Sequence, residues 1–288
     1  MSSLCDLHLH TTASDGTESP TELVAHASAV GLCVIAITDH DSTEGVAPAQ
    51  AAAAGRGLEV IPGIEISTDV PNGEVHVLGY FVNTQDEELQ ATLRLLRESR
   101  RGRAERMVEK LAHLGLPVSW ARVKELAGDA SVGRPHVAQV LVEAGYVSTL
   151  AEAFDKYIGR NGPAYVERYK LTPAEAAGLV IRAEGLPGLA HPVMMGAAEP
   201  LGGEYDLDLL LADLVGAGLV AMECYYTGYP PAVTEQLLAK AKSLGLVPTG
   251  GSDYHGTNLA GPVLGGVDVP LTSVAELRAR LTGPTNPR

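Results

Sequence analysis

Leu4-Cys5-Asp6-Leu7-His8-Leu9-His10-Thr11 is the stretch on which the fold turns. It is a short apolar run of the kind that forms a buried strand, and it carries two histidines two residues apart. Successive side chains on a strand point to opposite faces, so His8 and His10 point the same way and one metal ion could take both. Similar runs follow at Val34–Asp39, Leu58–Ser67, Val75–Val82, Gly188–His191, Leu219–Tyr225 and Leu246–Ser252, which makes seven candidate strands. Between them lie helical patterns at Ser19–Val30, with Pro20 in the first turn, at Ala47–Ala54, Thr172–Glu184 and Leu207–Ala217, and at Ala232–Leu244 behind Pro230-Pro231. Strand alternating with helix predicts an α/β fold with a largely parallel sheet or barrel.

The alternation stops between Glu87 and Val166, where helical periodicity continues without a buried strand, and a helical insertion is expected there. Its first helix, from Glu87 to Leu114, carries Arg94, Arg97, Arg100, Arg101, Arg103 and Arg106. The ordinary explanation is a solvated face laced with i,i+4 pairs such as Arg94–Glu98 and Arg101–Glu105. The tail after Leu281 reads as frayed.

The composition narrows the function. In 288 residues, 45% of them hydrophobic, 21 Lys and Arg stand against 35 Asp and Glu, leaving a formal net charge of −14. That balance opposes sequence-blind coating of a phosphate backbone. Cys5, Cys33 and Cys224 are odd in number and scattered, so neither a disulfide framework nor a cysteine zinc knuckle is supported, and a reducing compartment fits. No basic and apolar leader precedes Asp6 and no run of eighteen apolar residues occurs, so a soluble cytoplasmic protein without a membrane partner is expected.

Most of the nine histidines sit at the end of a candidate strand beside an acid. Asp15 follows His8 and His10 in a loop; Asp39-His40-Asp41 ends the second strand; Glu65 lies near the end of the third; His76 is on the fourth; His191 closes the fifth; Ser252-Asp253-Tyr254-His255 closes the last. Strand ends on one rim of a parallel sheet or barrel converge in space. A lone histidine is usually a hydrogen-bonded structural residue, and His26 and His113 are read that way. So many carboxylates and imidazoles on one rim would repel and pay desolvation unless divalent cations compensated them. An imidazole and carboxylate set without thiolate suits Mn²⁺, Zn²⁺ or Fe²⁺ better than Mg²⁺ or Ca²⁺. The supply of ligands is large enough for two to three ions. Neither a Gly-x-Ser-x-Gly elbow nor a Walker A pattern is present.

Asp6-Leu7-His8-Leu9-His10-Thr11, Thr38-Asp39-His40-Asp41, Gly63-Ile64-Glu65-Ile66-Ser67, Glu74-Val75-His76, Leu189-Ala190-His191-Pro192 and Gly251-Ser252-Asp253-Tyr254-His255 resemble, in order, the motifs of the polymerase-and-histidinol-phosphatase (PHP) phosphoesterases. Within that family, Gly133-Arg134-Pro135-His136-Val137-Ala138, Tyr157-Ile158 and Gly162-Pro163-Ala164-Tyr165-Val166 resemble the TrpH/YciV branch of nucleoside 3′,5′-bisphosphate phosphatases and 5′→3′ exoribonucleases. The resemblance implies a distorted seven-stranded (β/α) barrel formed by residues 1–86 and 167–288, with 87–166 as a helical insertion forming a substrate lid. It implies one metal held by His8, His10, Glu65 and Asp253, a second by Glu65, His76 and His191, and a third by Asp15, His40 and His255. Many members have histidine where this chain has Asp15. Mn²⁺ is the expected ion, with Zn²⁺ or Fe²⁺ as alternatives.

The implied chemistry is hydrolysis of a phosphoester, with Asp253, His40 and His255 as catalytic residues and the two histidines serving the departing oxygen. Arg134 and His136 are expected to take a second phosphate, Arg100 and Arg103 to add to that clamp, and Ser67 and Asn258 to line the pocket. The expected substrate is a small phosphorylated nucleotide, a nucleoside 3′,5′-bisphosphate losing its 3′-phosphate, together with short 5′-phosphorylated RNA; no obligate protein partner is implied. The alternatives are another PHP phosphoesterase, such as a histidinol-phosphatase or cyclic-nucleotide phosphodiesterase, and a catalytically silent binding module.

Overall fold

Seven segments form the strands: β1 Cys5–Leu9, β2 Val34–Ile37, β3 Glu59–Val70, β4 Gly73–Tyr80, β5 Leu186–Leu189, β6 Ala221–Tyr226 and β7 Val247–Gly251. The computed structural model describes residues 4–70, 73–128, 132–167, 169–193, 206–258 and 261–282; residues 283–288 of the tail and the side chain of Asn258 lie outside the described set. The strands are ordered β1 to β7 in one sheet. A parallel bridge between Leu9 and Tyr254 brings its two edges together, with His10 N–H donating to Tyr254 O at 3.0 Å and Asp253 N–H to His8 O at 3.0 Å. The result is a nearly closed seven-stranded barrel in a mixed α/β fold.

The sheet departs from the expected parallel pattern at one strand. β4 pairs antiparallel with both β3 and β5, while the other neighbouring pairs are parallel. The physical reason is the connection: two parallel neighbours need a crossover of about a dozen residues or more, and β3 ends at Val70 only just before β4 starts at Gly73. Reversal puts the first half of β4, with His76, level with the ends of the parallel strands.

Some of the helices on the barrel begin at side-chain caps encoded in the sequence. α1 (Pro20–Ala29) starts with a capping box in which Glu22 N–H donates to Ser19 Oγ at 3.3 Å and Ser19 N–H to Glu22 Oε2 at 2.8 Å. Together with α2 (Val46–Ala53), it buries Leu23, Val24, Ala27, Ala49 and Ala53 against Leu9, Ile35, Ile37 and Val60. Each fully buried large aliphatic side chain in such a layer contributes about 1.5–3 kcal/mol.

α3 (Glu87–His113) leads into α4 (Trp120–Ala127), α5 (Arg134–Glu143) and α6 (Leu150–Ala153), the last continuing into a π-helical turn at Phe154–Ile158. The chain divides into two compact units, one of Met1–Gln90 with Leu171–Arg288 and one of Ala91–Lys170. The second unit has its own core, in which Met107, Leu111, Val123, Val137, Leu141 and Ile158 are buried together. Within α3, the pairs Arg94–Glu98 and Arg101–Glu105 do not close among the described residues: Arg94 and Arg101 are exposed to solvent, which competes for the charges.

Back in the first unit, α7 (Pro173–Arg182) repeats the capping box with Thr172 and Glu175, and α8 (Leu207–Gly216) and α9 (Pro231–Leu244) pack Leu210, Leu214, Leu237 and Ala241 against Leu189 and Met222. α10 (Leu271–Thr282), not singled out by the sequence reading, closes over Cys5, Leu7 and Val247 through Val274 and Leu277.

Candidate active site

Glu65, on β3, is fully buried and stands at the centre of a ring of imidazoles. Its Oε2 lies 3.3 Å from His8 Nε2, 3.2 Å from His10 Nε2 and 3.0 Å from His40 Nδ1. Its Oε1 lies 2.8 Å from His76 Nδ1 and 3.1 Å from His191 Nε2. Asp253 Oδ1 adds a second carboxylate, 3.3 Å from His8 Nε2 and 3.0 Å from His10 Nε2. Beside these, Asp15 lies 3.6 Å from His10 Nδ1, 3.7 Å from His40 Nε2 and 3.3 Å from His255 Nε2.

The local sequence explains how these side chains arrive. His8 is on β1 and His10 follows it; the loop after them is fixed by buried Asp39, which accepts from Thr11 N–H at 2.7 Å and from Ser14 Oγ at 2.7 Å. That loop presents Asp15. Gly251 ends β7 because a Cβ there would lie 2.5 Å from the Cβ of His8. Two of the residues gathered at the rim hold left-handed backbone, Asp253 with φ +55° and His191 with φ +24°, a conformation that non-glycine residues keep only where their surroundings enforce it.

Charge and burial oppose each other throughout. Burial disfavours a charged His8, but Glu223, Glu65 and Asp253 outweigh it and raise its proton affinity well above the ordinary value. The same contest raises His10 to about 10 and raises His40 and His191. At His76 burial prevails and lowers it. Burial would raise Glu65, but His40, His76 and His8 hold it well below the usual carboxylate range, and His8 and His10 do the same for Asp253. The rim thus sets buried carboxylates against a ring of imidazoles, a donor set that a cation could join in place of protons.

Three groups of donor atoms, each within 4.8 Å of one another, could hold a metal ion: His8, His10, Glu65 and Asp253; His10, Asp15, His40 and His255; His40, Glu65 and His76. All nine residues expected as ligands thus lie at one rim of the first unit, His191 joining through Glu65. His26 pairs with Glu18 at 3.0 Å, as a structural histidine would.

The expected substrate residues are placed differently. Ser67 is buried, its backbone N–H donating to Asp41 Oδ1 at 3.1 Å. Arg100, Arg103, Arg134 and His136 belong to the second unit. The Arg134 guanidinium sits 5.5 Å from the Phe154 ring centroid. His136 Nδ1 accepts the Gly133 N–H at 3.0 Å, so one side of this ring serves the start of α5. Arg103 is only 4% exposed.

Two side chains at the rim were missed in the sequence. Glu223 contacts His8 and His191, and Tyr226 donates its hydroxyl to Asp253 Oδ2 at 2.7 Å. The available signal for Glu223 was an acid inside an otherwise apolar strand, Ala221-Met222-Glu223-Cys224.

Comparison with known proteins accords with this geometry. The PHP domain model matches residues 6–119. A 5′-3′ exoribonuclease of Haemophilus influenzae is 34% identical, over 87% of this chain and 89% of its own length. A 3′,5′-nucleoside bisphosphate phosphatase of Chromobacterium violaceum is 31% identical, over 93% of this chain and 90% of its own. A solved structure from Bifidobacterium adolescentis, described as a metal-dependent phosphoesterase, superposes with a TM-score of 0.82 at 31% identity and covers 98% of this chain and 97% of that one. Barrel, rim and relatives together define an enzyme of the metal-dependent phosphoesterase class. The chain belongs to the PHP family.

Proposed function

We propose that this enzyme removes the 3′-phosphate from nucleoside 3′,5′-bisphosphates, leaving nucleoside 5′-monophosphates, with two to three divalent cations, Mn²⁺ first among them, at the rim around Glu65. The observation that carries the metal reading is the state of the buried polar atoms. Glu65 Oε2, His10 Nδ1 and His40 Nδ1 are buried and make no hydrogen bond among the described residues. His8 Nε2 and His10 Nε2 face each other at 3.1 Å, an approach of two acceptor atoms that requires a proton or a cation between them. The donor set is imidazole and carboxylate, which fits Mn²⁺, Zn²⁺ or Fe²⁺.

One cation would be held by His8, His10, Glu65 and Asp253, a second by Glu65, His76 and His191, and a third by Asp15, His40 and His255. Bound there, the cations would supply neutralisation of phosphoryl charge and acidification of a water. The protein's own groups do the rest. Glu65 holds the imidazoles in one cluster. His255 Nδ1 lies 2.9 Å from the Asp253 carbonyl, which fixes this nitrogen as the donor and leaves the Nε2 lone pair, facing Asp15 at 3.3 Å, for the third cation. His255 and His40 would hold the third cation beside the departing 3′-oxygen or, where that cation is absent, would protonate this oxygen themselves.

The second phosphate is assigned to Arg134, Arg100 and Arg103 of the second unit, with His136 assisting; Ser67 is assigned separately to substrate binding in the barrel unit. In α3 the buried positions Leu93, Leu96, Arg103, Met107 and Leu111 follow one helical stripe, so Arg103 occupies a position where an apolar residue would be the default. A guanidinium there offers planar, bidentate recognition of an anion. The exoribonuclease relative favours a second use of the same site, on short RNA bearing a 5′-phosphate. Among the described residues no helix is long and apolar enough to cross a membrane.

The test is phosphate release by Mn²⁺-loaded protein from adenosine 3′,5′-bisphosphate, AMP and histidinol phosphate in parallel, with a chelated control. Chelator-sensitive release that strongly prefers the bisphosphate and yields AMP is expected. Equal or faster release from histidinol phosphate would reject the substrate assignment.

A further inference from the structure

Ligand atoms that face a metal centre must be aimed, and at this rim one side chain aims two of them. Glu223, on β6, is fully buried. Both of its carboxylate oxygens lie 3.1 Å from His8 Nδ1, and Oε2 also accepts the backbone N–H of His191 at 2.7 Å. His8 comes from β1 and His191 from just beyond β5, and the two face the two different oxygens of Glu65.

A carboxylate accepts hydrogen bonds, so the two 3.1 Å contacts with Glu223 place the His8 ring proton on Nδ1. The lone pair is then on Nε2, which faces His10 Nε2 at 3.1 Å, Glu65 Oε2 at 3.3 Å and Asp253 Oδ1 at 3.3 Å. The opposite tautomer would set two acceptors against each other at Glu223 and turn an N–H into the cluster. At His191 the same carboxylate acts on the backbone. This residue holds φ +24°, and the short bond from its N–H to Glu223 ties the peptide in the orientation that brings Nε2 to 3.1 Å from Glu65 Oε1.

We propose that Glu223 is a positioning residue that fixes the His8 tautomer and the His191 backbone together, and thereby sets the divalent-cation affinity of the two donor sets sharing Glu65. The proposal rests on the metal reading given above. Removing such a partner of a ligating histidine typically lowers metal affinity about 10–100-fold. Glu223→Gln keeps the shape but loses the charge and one acceptor. Mn²⁺ binding is measured calorimetrically on chelator-treated wild type and Glu223→Gln, with thermal melting of both metal-free proteins and kcat and KM on adenosine 3′,5′-bisphosphate. The expected result is Mn²⁺ affinity lower by about 10–100-fold, metal-free melting within a few degrees of wild type, and a fall in kcat with KM unchanged.

Mn²⁺ affinity within twofold of wild type overturns the proposal while leaving the metal reading intact. Wild type that binds no Mn²⁺ overturns both. If Glu223→Gln does not fold, the wild type decides alone: long-range proton–nitrogen NMR of the Zn²⁺-loaded protein, with His8 assigned from His8→Gln, should show His8 protonated at Nδ1. An Nδ1 without its proton overturns the proposal.

Discussion

Glu65 meets five histidines through two oxygens, so single substitutions at the rim differ sharply in effect from those in the second unit. His191→Ala removes an imidazole that only Glu65 and the rim explain, and hydrolysis of every phosphoester should fall together. Arg134→Ala should instead raise KM for the bisphosphate about 10–100-fold, the loss of one charge-assisted bond worth about 1.5–3 kcal/mol, with simple monophosphates hydrolysed as by wild type. Steady-state kinetics on both substrate types checks the division; equal losses on a monophosphate would sink the clamp assignment. The gathered residues were legible because histidine and acid recur at strand ends. Glu223 was not, because one acid in an apolar strand carries no partner in the local sequence, and its role exists only once β1, β5 and β6 are neighbours. His136 shows the reverse case: its position at a helix start is visible in the sequence, and the ring does serve that start through Gly133.

At the scale of elements, the strands and caps followed from local pattern. Thr172 and Glu175 form the capping box at the start of α7, where Thr172-Pro173 opens the helical pattern in the sequence. The direction of β4 did not follow from its composition, since an alternating Val-rich strand reads the same either way. The signal lay in the sequence between Val70 and Gly73: the gap is too short for a parallel crossover, and Asn72-Gly73 is a pair favoured in tight turns. Two substitutions separate elements that hold the fold from those that hold the site. Thr172→Ala should cost about 1 kcal/mol in urea unfolding and leave kcat unchanged. Gly251→Ala would place a methyl 2.5 Å from the Cβ of His8; it should cost about 1–3 kcal/mol and also lower kcat. Unchanged kcat in Gly251→Ala would show that His8 tolerates displacement.

For the whole molecule, two compact units each carry a core, and the titratable rim lies within the barrel unit. Burial also separates the three thiols. Desolvation pushes Cys5 and Cys224 up to about 12, while Cys33 is exposed. A disulfide-exchange reagent at pH 8 should therefore label one thiol rapidly in the native protein and three after denaturation; rapid labelling of all three without denaturant would contradict the packing around β1 and β6. The fold class was legible at this scale from strand and helix alternation, whereas α10 and the closure between Leu9 and Tyr254 depend on contacts between the two ends of the chain.

The most direct test of the account is a titration of chelator-treated protein with Mn²⁺, reading bound metal per chain and phosphate release from adenosine 3′,5′-bisphosphate in the same samples. At least two ions per chain are predicted, with activity rising as the second binds. A protein that binds no Mn²⁺, or that releases phosphate at full rate while metal-free, would contradict it.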